Sequence, residues 1–366
     1  MTATSPMIDG RTARFRELDG LRGIAAFAVV VYHYTSSHGS LFPEDPAALF
    51  SFGWGEYGVQ LFFLVSGFVI LMTAWRARRP SDFVISRVSR LYPPYWLSLV
   101  FVVAVMAVFP IRGFPTDWDI VLVNLTMIQR WLMVPNVVDV YWTLGVEMQF
   151  YVVILLLLLV TRCRLSIRVI LSAAVLWAAV SWAVVLVAFT HTTSNPQLDP
   201  TWVKLLNNAT IAEYGPLFIM GMVMFLIRTG HLNAWWTVPV TVSTVANGAL
   251  MRGWEHGALT AAVCVVFVIV VLRERTRFLL WKPVQWYGKI SYSLYIMHSV
   301  PGYLIIHFAW PYLGRDLATV LAIVVASVLS WLCWKLGEQV LGRKAKRGLE
   351  STRSRIDRAR GREVAA

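Results

Sequence analysis

The chain is a succession of long apolar runs separated by short polar segments. Several runs have no polar face at all, as in Val152 to Val160 and Ala261 to Leu272. A periodic apolar stripe marks a soluble amphipathic helix, whereas a run apolar all round marks a helix surrounded by lipid or by other helices. Crossing a hydrocarbon core of about 30 Å takes roughly 20 mostly apolar residues. Ten stretches meet that need, at approximately 19–35, 57–75, 92–110, 142–161, 168–190, 213–229, 235–251, 257–273, 290–309 and 316–337. The pattern predicts an all-α polytopic membrane protein of about ten transmembrane helices, and the even number places both termini on one side. The stretch 118–133 is apolar but short and carries Asn124 and Gln129, so it is expected to be re-entrant or interfacial.

Charge gives the layout a direction. Of 33 Lys and Arg, only Arg112, Arg130, Lys204, Arg252 and Arg315 fall in one set of inter-span segments; Arg22 and Lys335 lie within spans, and the rest fall in the opposite set. Basic residues near span ends stay cytoplasmic, so both termini are expected in the cytoplasm, with loops 36–56, 110–141 and 191–212 outside. The organisation read this way is a cytoplasmic segment 1–17, a single transmembrane domain 18–340 and a basic cytoplasmic tail 341–366. Within that tail, 343–363 is expected to be disordered or to lie on anionic lipid. Arg11, Arg14 and Arg16 followed by an apolar run imitate a signal peptide. The run ends in Tyr32-His33-Tyr34 without a small-residue cleavage site, so it reads as a retained first span of a plasma (inner) membrane protein.

Composition excludes several function classes. The 366 residues are 57% hydrophobic and 14% charged, where a soluble domain carries roughly 25% charged residues. A net charge of +13 would suggest nucleic acid in a soluble protein; here the positive charge follows the span ends, and no nucleic-acid partner is expected. Cys163, Cys264 and Cys333 match no disulfide or metal-ligand spacing, and no metal site is expected.

A titratable group at membrane depth costs at least about 2.5–3.5 kcal/mol on insertion scales, so each one is a functional candidate. His33, Glu147 and His298 lie well inside spans, with Asp19, Arg22, Glu213, His307, Lys335 and Glu338 nearer the ends. Arg22 and His33 are eleven residues apart, almost a whole number of helical turns, and so share a face across a rise of about 16 Å. His33 and Glu147 fall at the same expected depth, where a carboxylate supporting an imidazole would make it a general base for a hydroxyl. A histidine satisfied by interfacial water is the plainer alternative for His33, an arginine pair for Glu147, and a helix-packing hydrogen bond for His298 beside Tyr292 and Tyr295. Arg87 and Arg90, at i and i+3, share one helical face suited to phosphate, or else enforce topology. Ser66, in FFLVSGFVI, has no base near it in sequence, and Gly67 beside it suggests close helix packing.

These residues sit in segments that resemble the membrane-bound acyltransferase-3 family of bacterial multi-pass O-acyltransferases. The likeness runs through Arg22-x10-His33 in LDGLRGIAAFAVVVYHY, FFLVSGF at 62–68, Arg87-x-x-Arg90 before LYPPYW, YWTLGVEMQFY at 141–151 and SYSLYIMHS at 291–299. It implies an acyl-CoA donor in the cytoplasm, acetyl-CoA above all, and an acceptor hydroxyl on a sugar, glycan or natural product. With it, Arg87 and Arg90 are expected to hold the CoA phosphates, the pantetheine arm to run up a groove past Arg22, and His33, supported by Glu147, to take the acceptor's proton, with Ser66, Tyr292 and His298 as further pocket residues. Two positions depart from the family pattern: Met148 stands where a second acidic residue often follows the Glu, and Glu338-Gln339-Val340 replaces a Glu-x-Pro. The chain lacks the appended esterase-like domain of larger relatives, so a stand-alone enzyme is expected. A proton-coupled transporter would also bury His, Glu and Arg, and a lipid-binding scaffold would also be rich in aromatic residues.

Overall fold

A computed structural model describes residues 15–191, 200–273 and 276–364, and among these the regular structure is entirely helical. The basic flank bearing Arg11 and Arg14, and the middle of the outward loop 191–212, lie outside the described residues. In chain order the helices are α1 (Arg16–Tyr32), the short α2 (His38–Leu41), α3 (Gly58–Trp75), α4 (Pro80–Val108), α5 (Trp118–Asn124), α6 (Trp142–Val160), α7 (Ile167–His191), α8 (Thr201–Thr210), α9 (Gly215–Arg228), α10 (Thr237–Arg252), α11 (Trp254–Leu272), α12 (Lys282–Met297), α13 (Ser299–Leu313), α14 (Arg315–Cys333) and α15 (Gly342–Val364).

Among the described residues, seven helical stretches are long and apolar enough to cross a membrane: Gly53–Trp75, Pro80–Val108, Asp139–Val160, Ile167–His191, Thr201–Arg228, Trp254–Leu272 and Arg315–Ala359. The expected ten is therefore not met by length and apolarity. The shortfall has local causes. α1 has 17 residues, with Glu17, Asp19 and Arg22 in its first turns, before its backbone widens into a π turn over His33–Ser37. α10 has 16 residues. The expected span 290–309 is divided between α12 and α13, which meet at a break on His298. Pro301 supplies that break, because it has no N–H for the Met297 carbonyl and crowds the preceding turn. The stretch 118–133 holds only the seven-residue α5 followed by turns, so it does not span.

Small residues place the central helices in contact. A Cβ on Gly67 would overlap the Phe218 carbonyl oxygen, and one on Gly221 would overlap that of Leu64, so α3 and α9 touch backbone to backbone. Gly23 lies equally close to Gly288, where an added Cβ would sit 2.6 Å from the backbone nitrogen, and this joins α1 to α12. Such crossings are how helices associate in lipid, where burial of apolar surface drives little. Each also fixes a polar neighbour, since Arg22 precedes Gly23 and Ser66 precedes Gly67. α9 forms the centre of the bundle, buried continuously from Gly215 to Ile227.

Two terminal features differ from expectation. α4 begins at Pro80, twelve residues before the expected start, because Pro80 suits a first helical turn and Asp82 accepts from the Arg78 and Arg79 backbone N–H groups at 3.2 and 3.0 Å. It carries Pro93 and Pro94 within its length. Of the two expectations for the basic tail, disorder is not met: the tail forms helix α15, which follows α14 through a second π segment, Trp334–Leu341. Extending an existing helix avoids the cost of a nucleus, and α15 is tied to the start of α4 by Arg353 on Asp82 and Arg79 on Asp357.

Candidate active site

Three cavities follow one another along the bundle and share lining residues. The first opens at the end where α1 starts and is lined by Asp19, Arg22, Arg90, Lys289, Trp334 and Glu338. Arg22, Val69 and Arg90 also line the second, together with Ser66, Arg87, Glu147, Tyr151, Tyr292 and Tyr295. Val59 and Tyr295 in turn line the third, which holds His33, Asp139, Glu56, Tyr57, Trp142, Arg252 and His256.

The second cavity gathers the arginines expected to share a site. The i, i+3 spacing turns Arg87 and Arg90 to one side of α4, and the α1–α12 crossing brings Arg22 against them. Arg87 is 8% exposed; it donates to Ser86 at 2.9 Å, lies 6.0 Å over the Tyr151 ring, and keeps a buried Nε without a partner. Among the described residues, none of the three guanidiniums lies within ion-pair distance of a carboxylate. Glu147 faces the same cavity and accepts from Tyr151 Oη at 2.6 Å and Ser66 Oγ at 2.9 Å. Ser66 thus has a carboxylate partner that its sequence neighbourhood did not reveal. Tyr292 donates to the Leu91 carbonyl at 3.0 Å, which ties α12 to α4. Glu338, at the neighbouring cavity, accepts from Ser293 at 2.8 Å.

His33 occupies the third cavity, and the pairing with Glu147 expected from equal depth is not what the fold makes. Its Nε2 lies 3.7 Å from Asp139 Oδ2. Its Nδ1 lies 2.8 Å from the Val29 carbonyl and 3.3 Å from His298 Nε2. Glu147 turns instead toward the arginines, because its α6 face is fixed by Tyr151 one turn along. His298 is fully buried, as the packing alternative required, with Nδ1 on the Tyr295 carbonyl at 2.8 Å; it also touches His33, which places it in the site. Tyr34 donates to the His298 carbonyl at 2.7 Å and fills the space that the missing Cβ of Gly302 leaves open.

Asp139 is the residue that sequence reading missed. It stands just before YWTLGVE, where a loop carboxylate carries no signal. Beyond it, the outer loop is held by a buried cluster: Asp45 lies 3.4 Å from His38 and 3.0 Å from His307, and accepts from Trp310 at 2.8 Å. Burial, with the Arg315 guanidinium adding to it, pushes the His38 imidazole down to about 4.

Among the described residues of this helical protein, arginines with no carboxylate in ion-pair reach thus line one cavity, and a histidine with a carboxylate near it lines the next. The sequence matches the acyltransferase domain family over residues 15–335, and the chain belongs to that acyltransferase-3 family of membrane enzymes. This membership sets aside the transporter and scaffold readings. The chain is 24% identical over 337 residues to peptidoglycan O-acetyltransferase OatA of Listeria monocytogenes, covering 79% of this chain and 50% of the relative. It is 29% identical over 278 residues to acyltransferase MdmB of Streptomyces mycarofaciens, covering 71% of this chain and 67% of the relative. The chain thus spans about half the length of the Listeria protein. No solved structure matches it.

Proposed function

We propose that this enzyme moves an acyl group, acetyl in the first instance, from acyl-CoA to a hydroxyl of a sugar, glycan or natural product. Its setting is the plasma membrane, with the arginine end cytoplasmic. The observation that carries the reading is the set of three guanidiniums lining one cavity, Arg87 buried and Arg22 and Arg90 half-buried, with no carboxylate in ion-pair reach among the described residues. Buried cations are retained when something anionic completes them, and a forked guanidinium suits phosphate oxygens. With the donor's phosphates on Arg22, Arg87 and Arg90, the roughly 16 Å rise from Arg22 to His33 is left for the pantetheine arm. The thioester then arrives beside His33. The acceptor oxygen attacks the thioester carbonyl, the C–O bond forms and the C–S bond breaks. The hydroxyl proton passes to His33 Nε2 and then to the departing thiolate, which leaves as free CoA. Glu147 belongs on the donor side of this scheme, holding Ser66 and Tyr151 against the arginines.

The test is release of free CoA by the purified protein from acetyl-CoA and longer donors, with calorimetric binding alongside. Wild type is expected to bind and slowly hydrolyse the donor, His33→Ala to bind without turnover, and Arg90→Ala to need more donor. A folded protein that neither binds nor consumes any acyl-CoA would overturn the proposal.

A further inference from the structure

We propose that Asp139 is the carboxylate that supports His33 in proton transfer, and that His298 fixes the ring in the tautomer the reaction needs. This assignment rests on the acyl-transfer reading above and deepens it. The tautomers follow by elimination, because a carbonyl oxygen only accepts. His298 Nδ1 lies on the Tyr295 and Leu294 carbonyls at 2.8 and 3.1 Å, so it carries the hydrogen and Nε2 carries the lone pair. His33 Nδ1 lies on the Val29 carbonyl at 2.8 Å, so it too carries the hydrogen, shared with His298 Nε2 at 3.3 Å. Two acceptors on one side of the ring therefore hold the His33 Nε2 lone pair toward the third cavity, where an acceptor hydroxyl would meet it.

Asp139 is built to answer the charge that then forms. Its Oδ1 accepts from Ser299 Oγ at 2.6 Å and from the Val140 backbone N–H at 2.8 Å, and its Oδ2 accepts from Tyr303 Oη at 3.3 Å. At 3.7 Å from His33 Nε2 the Oδ2 atom is too distant to hold the resting ring but close enough to attract the N–H that appears once the proton has moved. The side chain is 35% exposed toward the cavity, so this carboxylate meets the reacting region. Glu147 has no comparable relation to His33, since both of its donors belong to the arginine cavity.

Asp139→Asn keeps the shape, and its amide oxygen can still accept from Ser299 and the Val140 N–H, while an NH2 replaces the oxygen that faces His33 and Tyr303. It is expected to lower kcat for acetyl-CoA turnover about 100-fold, within the range for general acid–base groups, with donor KM and thermal midpoint unchanged. Asp139→Glu should restore at least about tenfold of that loss, while Glu147→Gln should act mainly on donor KM. Wild-type kcat in Asp139→Asn would overturn this assignment and leave the acyl-transfer reading standing. A loss of kcat matched by a fall in thermal midpoint and not rescued by Glu would also overturn it, as a folding effect. A folded wild type that neither binds nor consumes any acyl-CoA would overturn the reading and this assignment together.

Discussion

Replacing Arg87 with methionine should make the ligand-free enzyme more stable and the enzyme less able to bind its donor. Arg87 is 8% exposed, holds a buried Nε without a partner, and has no carboxylate within ion-pair distance among the described residues. Its guanidinium donates to the neutral Ser86 hydroxyl at 2.9 Å and lies beside the Tyr151 ring. Taking a cation from water leaves a residual cost of several kcal/mol even after relaxation, and exchanging buried ionic groups for apolar ones of similar volume is often stabilising by about 1–4 kcal/mol. Methionine is close in length and flexible enough to fill the space beside Tyr151. For a chain of this size that gain corresponds to a midpoint rise of about 1–5 °C. The same change removes a charge-assisted contact worth about 1.5–3 kcal/mol to phosphate, or about 10- to 150-fold in donor affinity. Thermal unfolding in detergent with and without acetyl-CoA reads both effects. A variant with a lower midpoint than wild type that still gained stability from acetyl-CoA would refute the argument that Arg87 is an unsatisfied charge waiting for an anion.

Gly67→Ala should lower the thermal midpoint by the equivalent of about 2 kcal/mol or more, because its methyl meets the Phe218 carbonyl and overpacking costs about 1–3 kcal/mol. Gly53→Ala, with open space around it, is the control. His38 is buried with its imidazole held near 4, below the usual 6.5. The folded state therefore favours the neutral ring, its contribution is complete above about pH 6.5, and it is lost as pH falls from there through 4. The loss amounts to about 3 kcal/mol, visible as a drop in midpoint that His38→Gln should flatten. Arg353→Ala should cost less than about 1 kcal/mol, since Arg353 and Asp82 are both partly exposed, at 30% and 35%, and solvent screens the pair; an equilibrium denaturation curve suffices to check it.

Local chemistry decides which parts of this protein can be read without coordinates. The apolar runs announce membrane helices because no other structure satisfies its backbone in lipid. The i, i+3 spacing of Arg87 and Arg90 fixes their common face, and a rise of 1.5 Å per residue fixes the separation of Arg22 from His33. The fate of 290–309 was less legible, because whether Pro301 merely bends a span or divides it into α12 and α13 depends on what packs at the break. The α15 helix was hidden for a related reason: its charge pattern fits coil as well as helix, and α14 decides by supplying the nucleus.

Pairing across helices belongs wholly to the tertiary structure. Equal depth made Glu147 a reasonable partner for His33, but depth says nothing about rotation around the bundle axis, and rotation turns Glu147 to the arginines. Asp139 carries no signal in its own stretch of chain. It reaches His33 because α13 brings Ser299 and Tyr303 to hold it, 160 and 164 residues further along. Residue type and spacing along one helix were enough to mark a helical membrane protein of this family and to put Arg87 and Arg90 on one face, though not to fix the number of spans. Only the tertiary structure decided which carboxylate faces which base, because that depends on glycine crossings at Gly23 and Gly67 and on a proline break, each of which sets the rotation of one helix against another.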